Sequence, residues 1–132
     1  MEIDYAFLCD AATEHGGKLN ALGIGIDQLG AAALPATHPR VTFVARLRFV
    51  REDDGERHFV VRAVDADGHE MGHVEGDMHV HFAPEDHITG ANLVVDLVNL
   101  EFTAAGPHEV TLTVDDEEVV MLPLEVTRTP QS

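Results

Sequence analysis

Apolar side chains recur at every second position along most of this chain, and that period leaves little choice of fold. The clearest run is 41–51, where Val41, Phe43, Ala45, Leu47 and Phe49 alternate with Thr42, Val44, Arg46, Arg48 and Val50. Successive side chains of a β-strand point to opposite faces, so the pattern makes a strand with one face in a core. An amphipathic helix needs apolar residues three and four apart, and no long stretch has them. The same alternation predicts strands over 58–64 (Phe59, Val61 and Ala63 inward), 72–82 (Val74, Met78, Val80 and Phe82) and 91–100 (Leu93, Val95 and Leu97). The last of these changes phase near Asn99. Val110, Leu112 and Val114 then match Val120, Leu122, Leu124 and Val126 in a closing hairpin about Asp115–Glu118. Pro123 cannot donate to a ladder, which puts that final strand at a sheet edge or a bulge.

Near the start, residues 5–13 are almost wholly apolar and read as one strand covered on both faces. Residues 18–28 read as its hairpin partner, with Leu22, Ile24 and Ile26 alternating against Gly23 and Gly25. Those glycines mark a bulge or the close approach of another backbone. Residues 30–39, with Ala31-Ala32-Ala33 and two prolines, read as a loop or one short helical turn. About eight strands at roughly ten-residue spacing predict an all-β fold. The expectation is one domain over residues 1–132, an antiparallel β-sandwich, with a closed barrel as the alternative that the uneven connections disfavour.

The connections carry the acids. Glu14 precedes Gly16-Gly17; then come Glu52-Asp53-Asp54-Gly55-Glu56, Glu85-Asp86 and Asp115-Asp116-Glu117-Glu118. Alternate turns of strands that run back and forth fall at the same end, which gathers these eleven carboxylates at one pole. The opposite pole holds five, at Asp27, Asp65, Asp67, Glu70 and Glu101. A formal charge of −16, from 24 acids against eight bases, repels phosphate and anionic lipid, so neither nucleic acid nor a membrane surface is expected as a partner. Cys9 is the single cysteine and excludes an intrachain disulfide. No basic leader and no apolar run near the ~20 residues of a membrane span are visible, and the expected compartment is the cytoplasm.

Three candidate sites follow. His73, Glu75, Asp77, His79 and His81 share the outward face of the 72–82 strand, and Asp77, His79 and His81 are the candidate ligands for a zinc, copper or nickel ion. If that strand pairs with 58–64 around Asp65-Ala66-Asp67-Gly68, His58 falls beside Asp77 and Arg62 beside His73. The competing reading is an ordinary solvated strand face. The acidic pole is a candidate for calcium, which takes about six to eight oxygen ligands. Against this, hairpin turns favour Asp and Gly for backbone reasons, and Asp53-Asp54 and Asp115-Asp116 are adjacent, while two aspartates spaced by one residue, as in ligand loops, occur only at Asp65-Ala66-Asp67. Cys9 sits in the most apolar strand and reads as a buried core residue, not a thiolate nucleophile. Asp10 interrupts that strand and reads as a strand cap or the partner of a buried arginine. No catalytic motif appears, and Gly23-Ile24-Gly25 is too short for a dinucleotide fingerprint.

The closing stretch, with Phe102, Gly106, His108/Val110/Leu112/Val114, the acidic turn and Leu122-Pro123-Leu124-Glu125-Val126, resembles an immunoglobulin-like sandwich. In many such sandwiches a tyrosine after that glycine ties the corner; His108 stands there in this chain. The chain as a whole resembles a family of small bacterial proteins known only as a domain of unknown function. The matching segments are Asp4-Tyr5-Ala6-Phe7-Leu8-Cys9-Asp10, Gly16-Gly17-Lys18-Leu19, Gly23-Ile24-Gly25, Leu34-Pro35-Ala36-Thr37-His38-Pro39, Ala45-Arg46-Leu47-Arg48, Val64-Asp65-Ala66-Asp67-Gly68 and Leu122-Pro123-Leu124-Glu125-Val126. The resemblance implies a compact β-sandwich with no assigned activity. Together these observations predict a non-catalytic binding or assembly module without a cofactor, working through a protein partner or self-association at free sheet edges or an outward Val44, Val50 and Val60 patch. The alternative is a divalent-metal-binding protein.

Overall fold

The computed structural model describes residues 1–129. It has ten strands: β1 (Glu2–Cys9), β2 (Ala11–His15), β3 (Lys18–Leu22), β4 (Gln28–Ala31), β5 (Ala36–Val50), β6 (Gly55–Val64), β7 (Glu70–Val80), β8 (Ile88–Phe102), β9 (Gly106–Val114) and β10 (Glu117–Arg128). They form a three-stranded sheet, β1-β5-β8, a five-stranded sheet, β4-β10-β9-β6-β7, and a two-stranded hairpin, β2-β3. All pairings are antiparallel except β4 with β10. Among the described residues no helix is long and apolar enough to cross a membrane.

The two larger sheets press their alternating apolar faces together. Leu8, Val41, Phe43, Ala45, Leu47, Phe49, Leu93, Val95 and Leu97 of one meet Val61, Ala63, Val110, Leu112, Val114, Leu124 and Val126 of the other in a single buried cluster. The phase change expected near Asn99 is real. β5 and β8 keep one register from Ala36↔Phe102 to Val50↔Ile88, yet the core positions of β8 switch from Leu93, Val95 and Leu97 to Leu100 and Phe102. Asn99 makes the switch with a φ of +53°, a conformation Asn tolerates better than most residues. Pro123 also lies where expected: β10 pairs with β9 on one side there, while β4 joins its other side only from Glu125 onward.

Ten strands replace the expected eight because the first apolar run is not one strand. The chain reverses at Asp10, whose N–H donates to the Leu22 carbonyl at 2.9 Å. Beyond it, β2 and β3 fold back as a flap against the outer side of β5 and β8. Gly23 takes a φ of +67° directly against the Asp10 carboxylate, where no Cβ fits. Gly25 and Ile26 donate to the Leu8 carbonyl, so Gly23 and Gly25 do mark a close backbone approach. Strand formation resumes at β4, so residues 18–28 are not one strand, and Leu22 and Ile24 are exposed. The expected loop over 30–39 shrinks to the link between β4 and β5, with a cis Leu34–Pro35 bond, because β5 starts at Ala36 and runs through Pro39.

The flap explains the β5 part of a second departure. Thr42 and Val44 point away from the sandwich core yet are fully buried beneath it, and Val60 is 7% exposed on the other sheet. The expected Val44–Val50–Val60 patch therefore does not exist as a surface; of the three only Val50 is exposed. Cys9 is buried in the same region, its Sγ 3.5 Å from the Ala11 carbonyl and 3.6 Å from that of Thr42. Burial pushes its thiol pKa up, the opposite of what a nucleophile needs.

Candidate functional site

The outer face of β6 and β7 concentrates the ionisable side chains that the sequence singled out. The strands pair with His58 opposite Asp77 and Arg62 opposite His73, as the matching of apolar faces predicts. His58 is pinned by carboxylates on both ring nitrogens: Nδ1 lies 2.9 Å from Asp77 Oδ1 and Nε2 3.2 Å from Glu75 Oε2. Both nitrogens can donate at once only in the imidazolium, so the site favours the charged ring. The bond to Asp77, and next that to Glu75, raises the His58 pKa above its ordinary value. Two further pairs flank it. His79 Nδ1 lies 3.1 Å from Glu56 Oε1, and His73 Nδ1 lies 3.0 Å from Glu70 Oε2, whose other oxygen accepts from Arg62 Nε at 3.0 Å.

The three candidate metal ligands of the stripe point to different partners. Asp77, His79 and His81 do not converge: Asp77 turns to His58, His79 to Glu56, and the His79 and His81 rings stack with centroids 6.4 Å apart. Among the described residues, the donor set whose atoms all lie within 4.8 Å of one another is Asp65, Asp67 and His69, in the β6–β7 turn. The one-residue spacing of Asp65 and Asp67 is the sequence signal for it. The turn's backbone already uses that acid, because Asp65 Oδ1 accepts from the N–H groups of Asp67 at 3.0 Å and His69 at 2.8 Å. The His69 N–H, the larger of these two effects, lowers the Asp65 pKa.

The acidic pole is similarly committed to backbone. The β5–β6, β7–β8 and β9–β10 connections meet there, while Glu14 rides on the flap, whose tip reaches only to Asn92 through the Gly17 carbonyl at 3.1 Å. Arg57 holds the pole together: Nε donates to the Asp53 carbonyl at 2.8 Å and Nη1 to Asp115 Oδ2 at 3.0 Å. Asp115 Oδ1 accepts from the His58 N–H at 2.9 Å, Asp53 Oδ2 from the Val50 N–H at 3.0 Å, and Asp86 Oδ2 from the Ala83 N–H at 3.3 Å. The His58 N–H, then Arg57, holds the Asp115 carboxyl below its usual range. These acids close turns and do not form a cage around a vacant centre.

Two surface features were not legible in the sequence. The flap carries an open apolar groove of about 600 Å³, lined by Ala11, Leu19, Leu22 and Ile24 among others. β7 ends the five-stranded sheet and pairs with β6 alone, so one side of its backbone is unpaired by any described strand. Val74, expected inside, is 37% exposed because it lies at this lateral opening of the sandwich. A smaller groove of about 140 Å³ there runs between Met71–Val74 of β7 and Asp96–Leu100 of β8.

At the other end of the sandwich, His108 does tie a corner. It is buried, packs edge-on against Phe102 at 5.2 Å, and bonds the Gly106 carbonyl through Nδ1 at 2.9 Å.

Residues 4–127 match the sequence profile of DUF6941, a family of unknown function. No curated protein matches the chain. Among solved structures, a β-glucosidase from Listeria innocua in complex with isofagomine is similar over 97% of this chain, with 9% identity and a TM-score of 0.50. The chain spans only 17% of that enzyme's length, so the likeness is one of fold alone. An immunoglobulin-like protein from Pseudomonas aeruginosa aligns with 95% of this chain and 94% of its own, at 15% identity and a TM-score of 0.38.

Proposed function

This protein belongs to the DUF6941 family, and we propose that it is a non-catalytic binding module that recruits a protein partner along the free edge of β7. The observation that carries the reading is a regular edge that no described strand pairs with, β8 lying beside its Met71–Val74 end without joining the ladder. From Gly72 to Val80 the register with β6 is unbroken, and the segment has no proline and no lysine. Proteins ordinarily blunt an exposed edge with such residues, a bulge or a covering element. Among the described residues the histidines beside this edge are bonded to carboxylates, and none has a serine or cysteine bonded to it, which supports a binding role over chemistry. The acidic surface disfavours nucleic acid and anionic membrane as partners, and the cytosol is the compartment proposed. Val74→Lys places a charge at the edge, and at this site, 37% exposed, the variant is expected to stay folded. Size-exclusion of native extract is expected to show wild type in a complex and the variant free at an unchanged melting temperature. Recovery of wild type only as a free monomer across conditions would sink the reading.

A second reading, divalent-metal binding, rests on the convergence of Asp65, Asp67 and His69. Calorimetric titration with zinc and with calcium tests it. No heat and no shift in melting temperature at millimolar metal removes it.

A further inference from the structure

The chemistry around β7 specifies its occupant, and we infer that the edge takes an extended segment of a partner protein in which basic residues alternate with apolar ones. This inference rests on the binding reading above and deepens it. A strand laid beside β7 completes backbone ladders with the N–H and C=O groups that turn away from β6, and its side chains alternate between the two faces of the sheet. On the outer face its neighbours are His73, Glu75, Asp77 and His79. Glu75 and Asp77 are more than half exposed, and Glu56 and Glu70 stand behind them. Arg62, engaged by Glu70, is the one arginine or lysine on that part of the face, and His58 is held between Glu75 and Asp77; against the four carboxylates they leave the row net acidic. Lysine or arginine at every second position of the incoming strand meets this row, and opposite charges directly across a ladder are favourable.

On the inner face the demand reverses. β7 presents Gly72, Val74 and Gly76 there, with Leu100 packed beside Gly72 and the Phe59 ring beside Gly76, so Val74 is the side chain left at the opening. Val98 of β8 is 59% exposed beside the same opening. Apolar side chains from the added strand cover Val74 and Val98 and fill the groove between β7 and β8.

A second copy of this chain fits poorly. Antiparallel pairing of two β7 edges along their regular Gly72–Val80 segments centres on Gly76. That register sets Glu75 opposite Asp77 twice, and like charges directly opposite destabilise a ladder. The acids therefore guard the edge against self-association while leaving it open to a cationic strand.

The probes are nine-residue capped peptides: one alternating arginine with valine, one alternating glutamate with valine, and one in which prolines replace the valines of the first. Binding is read by fluorescence anisotropy, and its location by amide exchange along β7. The arginine–valine peptide is expected to bind and slow exchange across Gly72–Val80. Its affinity is expected to fall at least tenfold between 50 and 300 mM salt, and likewise in Glu75→Lys/Asp77→Lys. The other two peptides are expected not to bind. Binding without β7 protection, or equal binding of the proline peptide, overturns the inference as an electrostatic contact with no strand addition. Protection of β7 by the glutamate–valine peptide, or by a neutral one without salt dependence, overturns the charge rule while the edge-binding reading stands. If no peptide protects β7, both fall. Dimers that form through β7 in wild type at neutral pH would replace the proposed occupant with a second copy.

Discussion

Thr42 and Val44 on β5 point away from the core and are nevertheless sealed, whereas the outward positions of β6 and β7 hold His58, Glu75, Asp77, His73 and His79 in the open. The two outer faces of one sandwich thus meet water differently. The β5 face carries apolar side chains and is covered by its own flap; the β7 face is ionic and needs no cover. A strand buried on both sides reads as a nearly continuous apolar run, and a half-buried one alternates cleanly. The run Thr42-Phe43-Val44-Ala45 and the alternation His73-Val74-Glu75 are these two patterns side by side in one protein.

The sharpest way to break this contrast is to exchange the chemistry of the faces. Val44→Asp buries an unpaired carboxylate beneath the flap and is expected to destabilise by about 3 kcal/mol or more in urea unfolding. Asp77→Val, on the wet face, is expected to stay within about 0.5 kcal/mol of wild type. A comparable loss from both would show that the flap does not seal its face.

Next in size is the hinge on which the flap depends. Gly23→Ala demands a left-handed alanine and drives its Cβ into the Asp10 carboxylate. A loss of about 2 kcal/mol is expected. Adding Asp10→Ala is expected to recover only part of it, since the backbone strain remains. Full recovery in the double variant would assign the whole effect to the collision.

Asp115→Ala separates acids that build turns from acids that merely face solvent. It removes the cap on the His58 N–H and the partner of Arg57, with an expected loss of about 1 kcal/mol near neutral pH. Because the folded-state pKa is lowered, this contribution is present above the ordinary value of 3.8 and lost as pH falls through the depressed one. Wild type and variant should therefore converge in strong acid. Glu85→Ala, at a side chain with no bonded partner among the described residues, is the control and should show neither effect.

The smallest effect is the most local. His58 has a raised pKa, so its ion pairs with Asp77 and Glu75 contribute fully below the ordinary value of 6.5 and fade as pH rises through the folded value. A proton NMR titration of the imidazole should give a midpoint above 6.5, and Asp77→Asn/Glu75→Gln should return it toward that value. A midpoint unmoved by the double variant would mean that the two carboxylates do not hold the ring.

Sequence reasoning recovered the pairing of β6 with β7, the inward face of β5, the edge position of Pro123 and the phase change at Asn99. Each follows from an interaction between near neighbours in the chain: side-chain alternation, a missing N–H, or a residue that tolerates positive φ. It also placed three acidic turns at one pole correctly despite missing two strands, because an inserted hairpin adds an out-and-back pair and leaves the parity of later turns unchanged. The flap itself escaped. Its signal was Asp10 breaking an apolar run, and a lone polar residue does not reveal whether the chain bends there or continues. The stripe Asp77, His79 and His81 was legible as a shared face, but partners across the ladder, His58 and Glu56, divert two of its three members.

By itself the sequence determined an all-β sandwich with apolar inner faces and polarised acidic connections, since strand period and turn chemistry are local properties that survive any arrangement of the sheets. Only the tertiary structure decided which outward face is covered, which carboxylates are spent on backbone N–H groups and which strand is left at the edge. Those outcomes depend on contacts between residues far apart in the chain: Gly17 with Asn92, Arg57 with Asp115, Leu8 with Gly25. No local pattern encodes them, because the same alternating strand serves equally well in the middle of a sheet or at its rim.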